Sequence, residues 1–211
     1  MTDATVRWLL YFERLLEMVA DVDGTIVECG VARGESLLML TLLANAEGKG
    51  REVWAFDSFE GFPEPSVHDV SPRRVQKGER AVDVESVCKL LRDGGVPQAF
   101  MTTKVTLVKG FFEETLGDYR GGRIALLHLD VDLYESYRCA LRQLQPKVAP
   151  GGVTAFDEYL GTLDRINWPG ARKAIDEYFG NDISRITKDT SSGKYYLVKP
   201  PTMTGTVRGL P

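Results

Sequence analysis

Residues 124–136, I-A-L-L-H-L-D-V-D-L-Y-E-S, constrain the fold more than any other stretch of this chain. The apolar run from Ile124 to Leu129 reads as a strand covered on both faces, as in a parallel sheet. Two carboxylates, Asp130 and Asp132, follow it directly. Burying a carboxylate without a partner is costly. A pair of them at the end of a buried strand therefore needs a reason.

The rest of the chain repeats the motif of strand, turn and helix. T-I-V-E-C precedes a glycine turn, Gly30 to Gly34, and an apolar helix, Leu37 to Ala44. E-V-W-A-F-D ends a second strand at Asp57, Val105 to Val108 forms a third, and P-G-G-V-T-A-F-D-E-Y a fifth entered by a glycine turn. Helical spacing joins Trp8, Phe12, Leu15, Leu16 and Val19. Further helices are expected over Val84–Arg92, stopped by Gly94-Gly95, from Tyr134 to Gln145, and over Gly170–Phe179. Strands alternating with helices predict an α/β fold with a mostly parallel sheet. The C-terminal I-S-R-I-T-K-D-T-S-S-G-K-Y-Y-L-V adds a hairpin and so an antiparallel edge. One domain is expected over residues 1–200, with an irregular active-site insertion at 61–82 and a flexible tail at 201–211.

With 211 residues, 43% of them hydrophobic, the chain can bury one sizeable core. A formal charge of -4 argues against a nucleic-acid partner. No stretch approaches the roughly 18 apolar residues of a membrane span, and charges scattered through the first helix exclude a secretory signal. Cys29, Cys88 and Cys139 lack metal-ligand spacing and read as reduced. These features predict a cytoplasmic protein with a small-molecule partner, away from membranes.

Ligands of such sheets bind at the carboxyl ends of the strands, where the glycine turn, Asp57, Asp130 and Asp157 are all placed. The turn E-C-G-V-A-R-G-E-S lacks the middle glycine of a dinucleotide fingerprint, which opposes a nicotinamide oxidoreductase. Glu28 repels anions and suits a cationic amino group, and Asp57 suits ribose hydroxyls. A cationic amino acid joined to a nucleoside describes S-adenosylmethionine. The alternative is a turn that merely packs helix on strand. Four carboxylates, Asp130, Asp132, Asp157 and Glu158, converge at two strand ends, and their repulsion calls for a divalent cation. All-oxygen donors suit Mg²⁺ or Ca²⁺. The alternative for Asp132 is a cap on the helix at Tyr134. His128 reads as a satisfied core or rim histidine, His68 as a solvated loop residue, and Arg73-Arg74 as a solvated basic pair.

Taken in order, V-E-C-G-V-A-R-G-E-S, W-A-F-D-S-F-E-G-F-P-E-P, K-G-F-F-E-E-T-L, L-D-V-D-L-Y-E-S and P-G-G-V-T-A-F-D-E-Y resemble the macrocin O-methyltransferase family, from about Thr25 to Phe179. The resemblance implies a Rossmann-like class I methyltransferase fold with a seven-stranded sheet. It implies an S-adenosylmethionine- and Mg²⁺-dependent methyltransferase acting on a hydroxyl of a sugar, glycoside or sugar nucleotide. By it, Glu28, Gly30, Gly34, Glu35, Ser36, Asp57, Ser58, Phe59 and Asp130 would hold the cofactor, with Gly110, Phe111 and Phe112 near its adenine. Asp130, Asp157 and Glu158 would bind the metal, although the family usually carries Asp at position 158. Asp132 matches a general base beside Asp130, and a homo-oligomer is compatible. Two other readings stand beside this one. They are a catechol-type O-methyltransferase and a non-catalytic nucleotide-binding module.

Overall fold

The computed structural model describes residues 2–201. Its elements alternate as the sequence predicts. Helix α1 (Asp3–Met18) precedes β1 (Thr25–Cys29), α2 (Glu35–Glu47) and β2 (Val53–Asp57). Next come α3 (Val84–Asp93), α4 (Gln98–Lys104), β3 (Val105–Lys109), α5 (Phe112–Thr115) and β4 (Ile124–Leu129). The chain closes with α6 (Tyr134–Leu144), β5 (Val148–Phe156), α7 (Asp164–Asn167), α8 (Pro169–Phe179) and the hairpin β6 (Thr187–Lys188) and β7 (Tyr195–Val198). The seven strands form one sheet in the order β3-β2-β1-β4-β5-β7-β6. The first five are parallel, and β7 runs antiparallel to both its neighbours.

Both faces of the sheet are covered, which is why the strands read as apolar runs and not as alternating ones. Successive side chains point to opposite faces. Ile26, Ala55, Leu126 and Ala155 enter one layer with Phe12, Leu15, Leu40 and Leu91 of α1, α2 and α3. Val27, Phe56, Leu127 and Phe156 enter the other with Tyr137, Leu141 and Ile175 of α6 and α8. Cys29 is buried in the second layer, and all three cysteines are free. Among the described residues no helix is long and apolar enough to cross a membrane.

Three short helices, α4, α5 and α7, were not predicted. The glycine pair of β5 also plays a different part. Instead of turning the chain into the strand, Gly151 and Gly152 lie inside it, where the register against β4 shifts. A Cβ at Gly152 would stand 2.9 Å from the Ala149 carbonyl oxygen and 3.0 Å from that of Ala125, so the close approach to two backbone carbonyls favours glycine. The insertion is irregular as expected, with one 3-10 turn at Val67–Asp69. Of the tail expected at 201–211, residues 202–211 lie outside the described residues.

Strand order reverses between β1 and β4, since the chain runs from β1 outward through β2 and β3 and then returns to β4. The crevice at that switch point is where such sheets take ligands.

Candidate active site

The glycine turn connects β1 to α2 along the crevice and crosses close to the end of β4. Gly30 has φ +85°, and a Cβ there would lie 1.7 Å from the Asp130 carbonyl oxygen. Gly34, at φ +88°, caps α2 against α3, where a Cβ would meet Val87 at 3.0 Å. Gly30→Ala combines a left-handed backbone with a backbone clash. It should cost at least about 2 kcal/mol of stability, measured as a lowered Tm and denaturant midpoint. Wild-type stability would show that the turn tolerates a different path.

Asp57 ends β2 and organises this turn. Its Oδ2 accepts hydrogen bonds from the N–H groups of Val31 (2.7 Å) and Ala32 (2.9 Å), and its Oδ1 from Phe59 N–H (2.7 Å). Gly110 N–H donates to the Asp57 carbonyl at 3.0 Å, which brings Phe111 and Phe112 to the same rim. The Ser58 hydroxyl donates to the Gly61 carbonyl at 2.8 Å and fixes the start of the insertion.

Gly30, Ala32, Asp57, Ser58, Phe62, Phe111, Phe112, Asp130 and Asp132 line one cleft. A second cleft, lined by Trp8, Arg33, Glu35, Ser36 and Val82, shares Ala32, Arg80 and Asp130 with the first. Most of the residues expected to hold the cofactor therefore meet at one place. Glu28 stands apart. Its side chain is fully buried, with Oε1 at 2.9 Å from His128 Nδ1, and Oε2 finds no partner among the described residues. Burial lowers the affinity of His128 for a proton, but the hydrogen bond and charge of Glu28 outweigh it and raise the pKa. His128 also sets its ring edge against Phe12 and is the satisfied core histidine that was expected. His68 is exposed, as expected of a loop residue, and its ring packs edge-on against Tyr134, 4.4 Å between centroids.

The carboxylates gather at the ends of β4 and β5. One oxygen each from Asp130, Asp132 and Glu158 lie within 4.8 Å of one another. Asp132 is 3% exposed and sits at φ +58°. Its N–H donates to Glu158 Oε2 at 3.2 Å, and the Tyr137 hydroxyl lies 2.9 Å from the same oxygen. Asp157 is not among the three. Its carboxylate is held by Lys194 at 2.5 Å, from the C-terminal hairpin, and Lys194 also donates to the Asp157 carbonyl. The gathered set thus differs from the expected metal ligands in one member, Asp132 standing in for Asp157. On the opposite flank Arg80, from the insertion, lies 3.6 Å from Asp132 Oδ2.

Electrostatics follow from this layout. Burial, then the charge of Asp157, pushes Asp130 up to about 7. Burial and the charge of Asp130 push Asp132 well above the usual carboxylate range, against the pull of Arg80. Burial and the charges of Asp132 and Asp130 raise Glu158 in the same way. Burial also opposes ionisation of Asp157, but Lys194 and then His128 hold it below the usual range. Four carboxyl groups thus crowd against two cations, Arg80 and Lys194, and three of the four are pushed toward the protonated form. A divalent cation with oxygen ligands suits that imbalance.

Asp132 does not cap α6. The helix has no side-chain cap from its own leading residues, and Asp69 of the insertion accepts the Tyr134 N–H instead. Arg80, Lys194, Trp8 and Asp69 were all missed from the sequence. Arg73, expected in solvent, pairs with Glu79 and lies over the Trp168 ring at 4.9 Å.

A sequence profile of the macrocin O-methyltransferase family matches residues 7–191. The chain belongs to that family. It is 34% identical over 165 residues to an 8-demethyl-8-(2,3-dimethoxy-α-L-rhamnosyl)-tetracenomycin-C 4′-O-methyltransferase of Streptomyces olivaceus, covering 75% of this chain and 59% of that one. It is 32% identical over 164 residues to a demethyldecarbamoylnovobiocin O-methyltransferase of Streptomyces niveus, with the same coverage of 75% and 59%. The chain thus matches about three-fifths of the length of these curated relatives. Its fold superposes on the O-methyltransferase NovP with a TM-score of 0.78, at 28% identity, over 92% of this chain and 80% of that one.

Proposed function

We propose that this chain is an S-adenosylmethionine- and Mg²⁺-dependent O-methyltransferase acting on a hydroxyl of a sugar or glycosylated small molecule. One observation carries the reading. A group of charge-crowded carboxylates, half-buried Asp130 with buried Asp132 and Glu158, borders the cleft that the glycine turn and Asp57 build. The relatives named above, a rhamnosyl 4′-O-methyltransferase and a demethyldecarbamoylnovobiocin O-methyltransferase, support this class of acceptor.

S-adenosylmethionine would supply the methyl group. Its nucleoside would lie along Asp57, Gly110, Phe111 and Phe112, and its amino acid end along the glycine turn, Glu35 and Ser36. Glu28, with one oxygen unpartnered, would contribute negative charge beneath that end. Mg²⁺ would supply positive charge that favours the ionised acceptor hydroxyl, held by Asp130 and Glu158 at the centre of the group. Asp157 would be the third ligand of this reading if its carboxylate exchanged Lys194 for the ion. Asp132 then serves as the base. Arg80, 3.6 Å from its Oδ2, would favour the ionised carboxylate that accepts a proton from the acceptor. Phe62 and Arg80 line the cleft, with Arg80 stacked over the rings of Phe62 and Trp168, and this packing would help exclude water while donor and acceptor align.

Calorimetry with S-adenosylhomocysteine and with NAD tests the reading. The first should bind and the second should not; binding of NAD alone would end it. Asp57→Ala should weaken the nucleoside ligand by about 1.5–3 kcal/mol, the scale of hydrogen bonds to a charged group.

A further inference from the structure

A helix start leaves backbone N–H groups without intrahelical partners. At α6 a distant segment supplies the missing acceptor. Asp69, 6% exposed, accepts the Tyr134 N–H through Oδ1 at 2.8 Å. Its Oδ2 accepts from Ser66 N–H at 2.8 Å and from the Ser66 hydroxyl at 2.7 Å. Helix α8 makes room for this carboxylate, since a Cβ on Gly170 would lie 1.9 Å from Oδ1. The Ser71 hydroxyl pins the same segment to the Asn167 carbonyl at 3.0 Å.

Between Asp130 and the capped Tyr134 lie only Val131, Asp132 and Leu133. That short loop holds Asp132 in its left-handed conformation, with the Asp132 N–H on Glu158. Further along the insertion, Arg80 reaches the Asp132 carboxylate. The insertion therefore grips the loop twice, at the Asp132 side chain and at the backbone that follows.

We propose that Asp69 is a positioning residue for the acidic group. By capping α6 from within the insertion it fixes the Val131–Leu133 loop, and with it the orientation of Asp132 toward Asp130 and Glu158. The proposal rests on the methyltransferase reading only where turnover is concerned, because the order of the loop can be measured without ligand.

The test compares Asp69→Ala, Asp69→Asn and Ser66→Ala by hydrogen exchange in the ligand-free protein, with kcat, KM and S-adenosylhomocysteine affinity measured alongside. Asp69→Ala should raise amide exchange within residues 131–137 about fivefold, the worth of one helix cap. It should lower kcat while cofactor affinity stays within about twofold. Asp69→Asn retains an oxygen for the Tyr134 N–H and should restore most of the protection. Ser66→Ala loosens the turn of the insertion but leaves the cap, so its exchange should rise only within residues 62–80. Asp69→Ser, too short to reach Tyr134, replaces the alanine variant if that does not fold. Equal exchange at 131–137 in the Asp69→Ala and Ser66→Ala proteins would overturn the proposal. So would a change confined to the insertion. If the parent protein shows no methyl transfer, the functional reading fails, and the exchange result still decides the role of Asp69.

Discussion

Asp132→Asn is expected to lose turnover by roughly 10²–10⁴-fold, the usual worth of a positioned general base. Its affinities for Mg²⁺ and S-adenosylhomocysteine should stay within about twofold of the parent. The substitution is a clean probe, because asparagine tolerates the left-handed backbone at this position as aspartate does. It keeps the shape of the side chain and its N–H bond to Glu158. Single-turnover kinetics with preloaded metal and labelled cofactor measure the chemical step directly. A fall in Mg²⁺ affinity beside the loss of turnover would make Asp132 the third metal ligand, as its place among the three clustered oxygens allows. Wild-type kinetics with a lowered Tm would reduce it to a structural carboxylate.

Removal of the metal should have the second large effect. EDTA should abolish turnover without unfolding the protein, because both apolar layers form without any contribution from the acidic group. Asp130→Asn should weaken Mg²⁺ binding by at least about 10–100-fold, a cost that mutating even the residues around metal ligands reaches. High Mg²⁺ should then restore part of its activity, and titration calorimetry follows the same change without turnover. Turnover that survives EDTA would remove the metal from the reaction.

Much of the fold could be read from the sequence because burial on both faces leaves short, continuous apolar runs between turns and helices. The fourth strand, buried at every position, is the clearest case. Helices α4, α5 and α7 span seven, four and four residues, too short for a 3.6-residue period to declare itself. The glycine pair at 151–152 was placed in the right strand and given the wrong task. Glycine signals a turn and a bulge alike, and only the packing against Ala125 separates them.

The site was legible in its acids and hidden in its cations. Carboxylates that end apolar runs stand out because burial makes them costly. Lys194 is 37 positions from Asp157, and Asp69 is 65 from Tyr134, and no local pattern joins such pairs. Glu28 shows the same limit. It was read as facing a ligand, but β1 pairs with β4 so that Glu28 lies opposite His128, a register that neither strand reveals alone.

The backbone at Asp132 also bears on what inheritance can place there. A left-handed residue costs most side chains about 1–2 kcal/mol, and Asp and Asn bear it best because their short polar groups bond locally. Glutamate carries the same charge, but its backbone pays that cost and its longer arm starts from a loop with no slack. Drift at this codon is thereby channelled. The acid can be kept, or exchanged for a neutral amide that leaves the architecture standing, but swapping one acid for the other is disfavoured. Lineages that lose the reaction by this route would inherit an intact cleft without its base, ready for a different use.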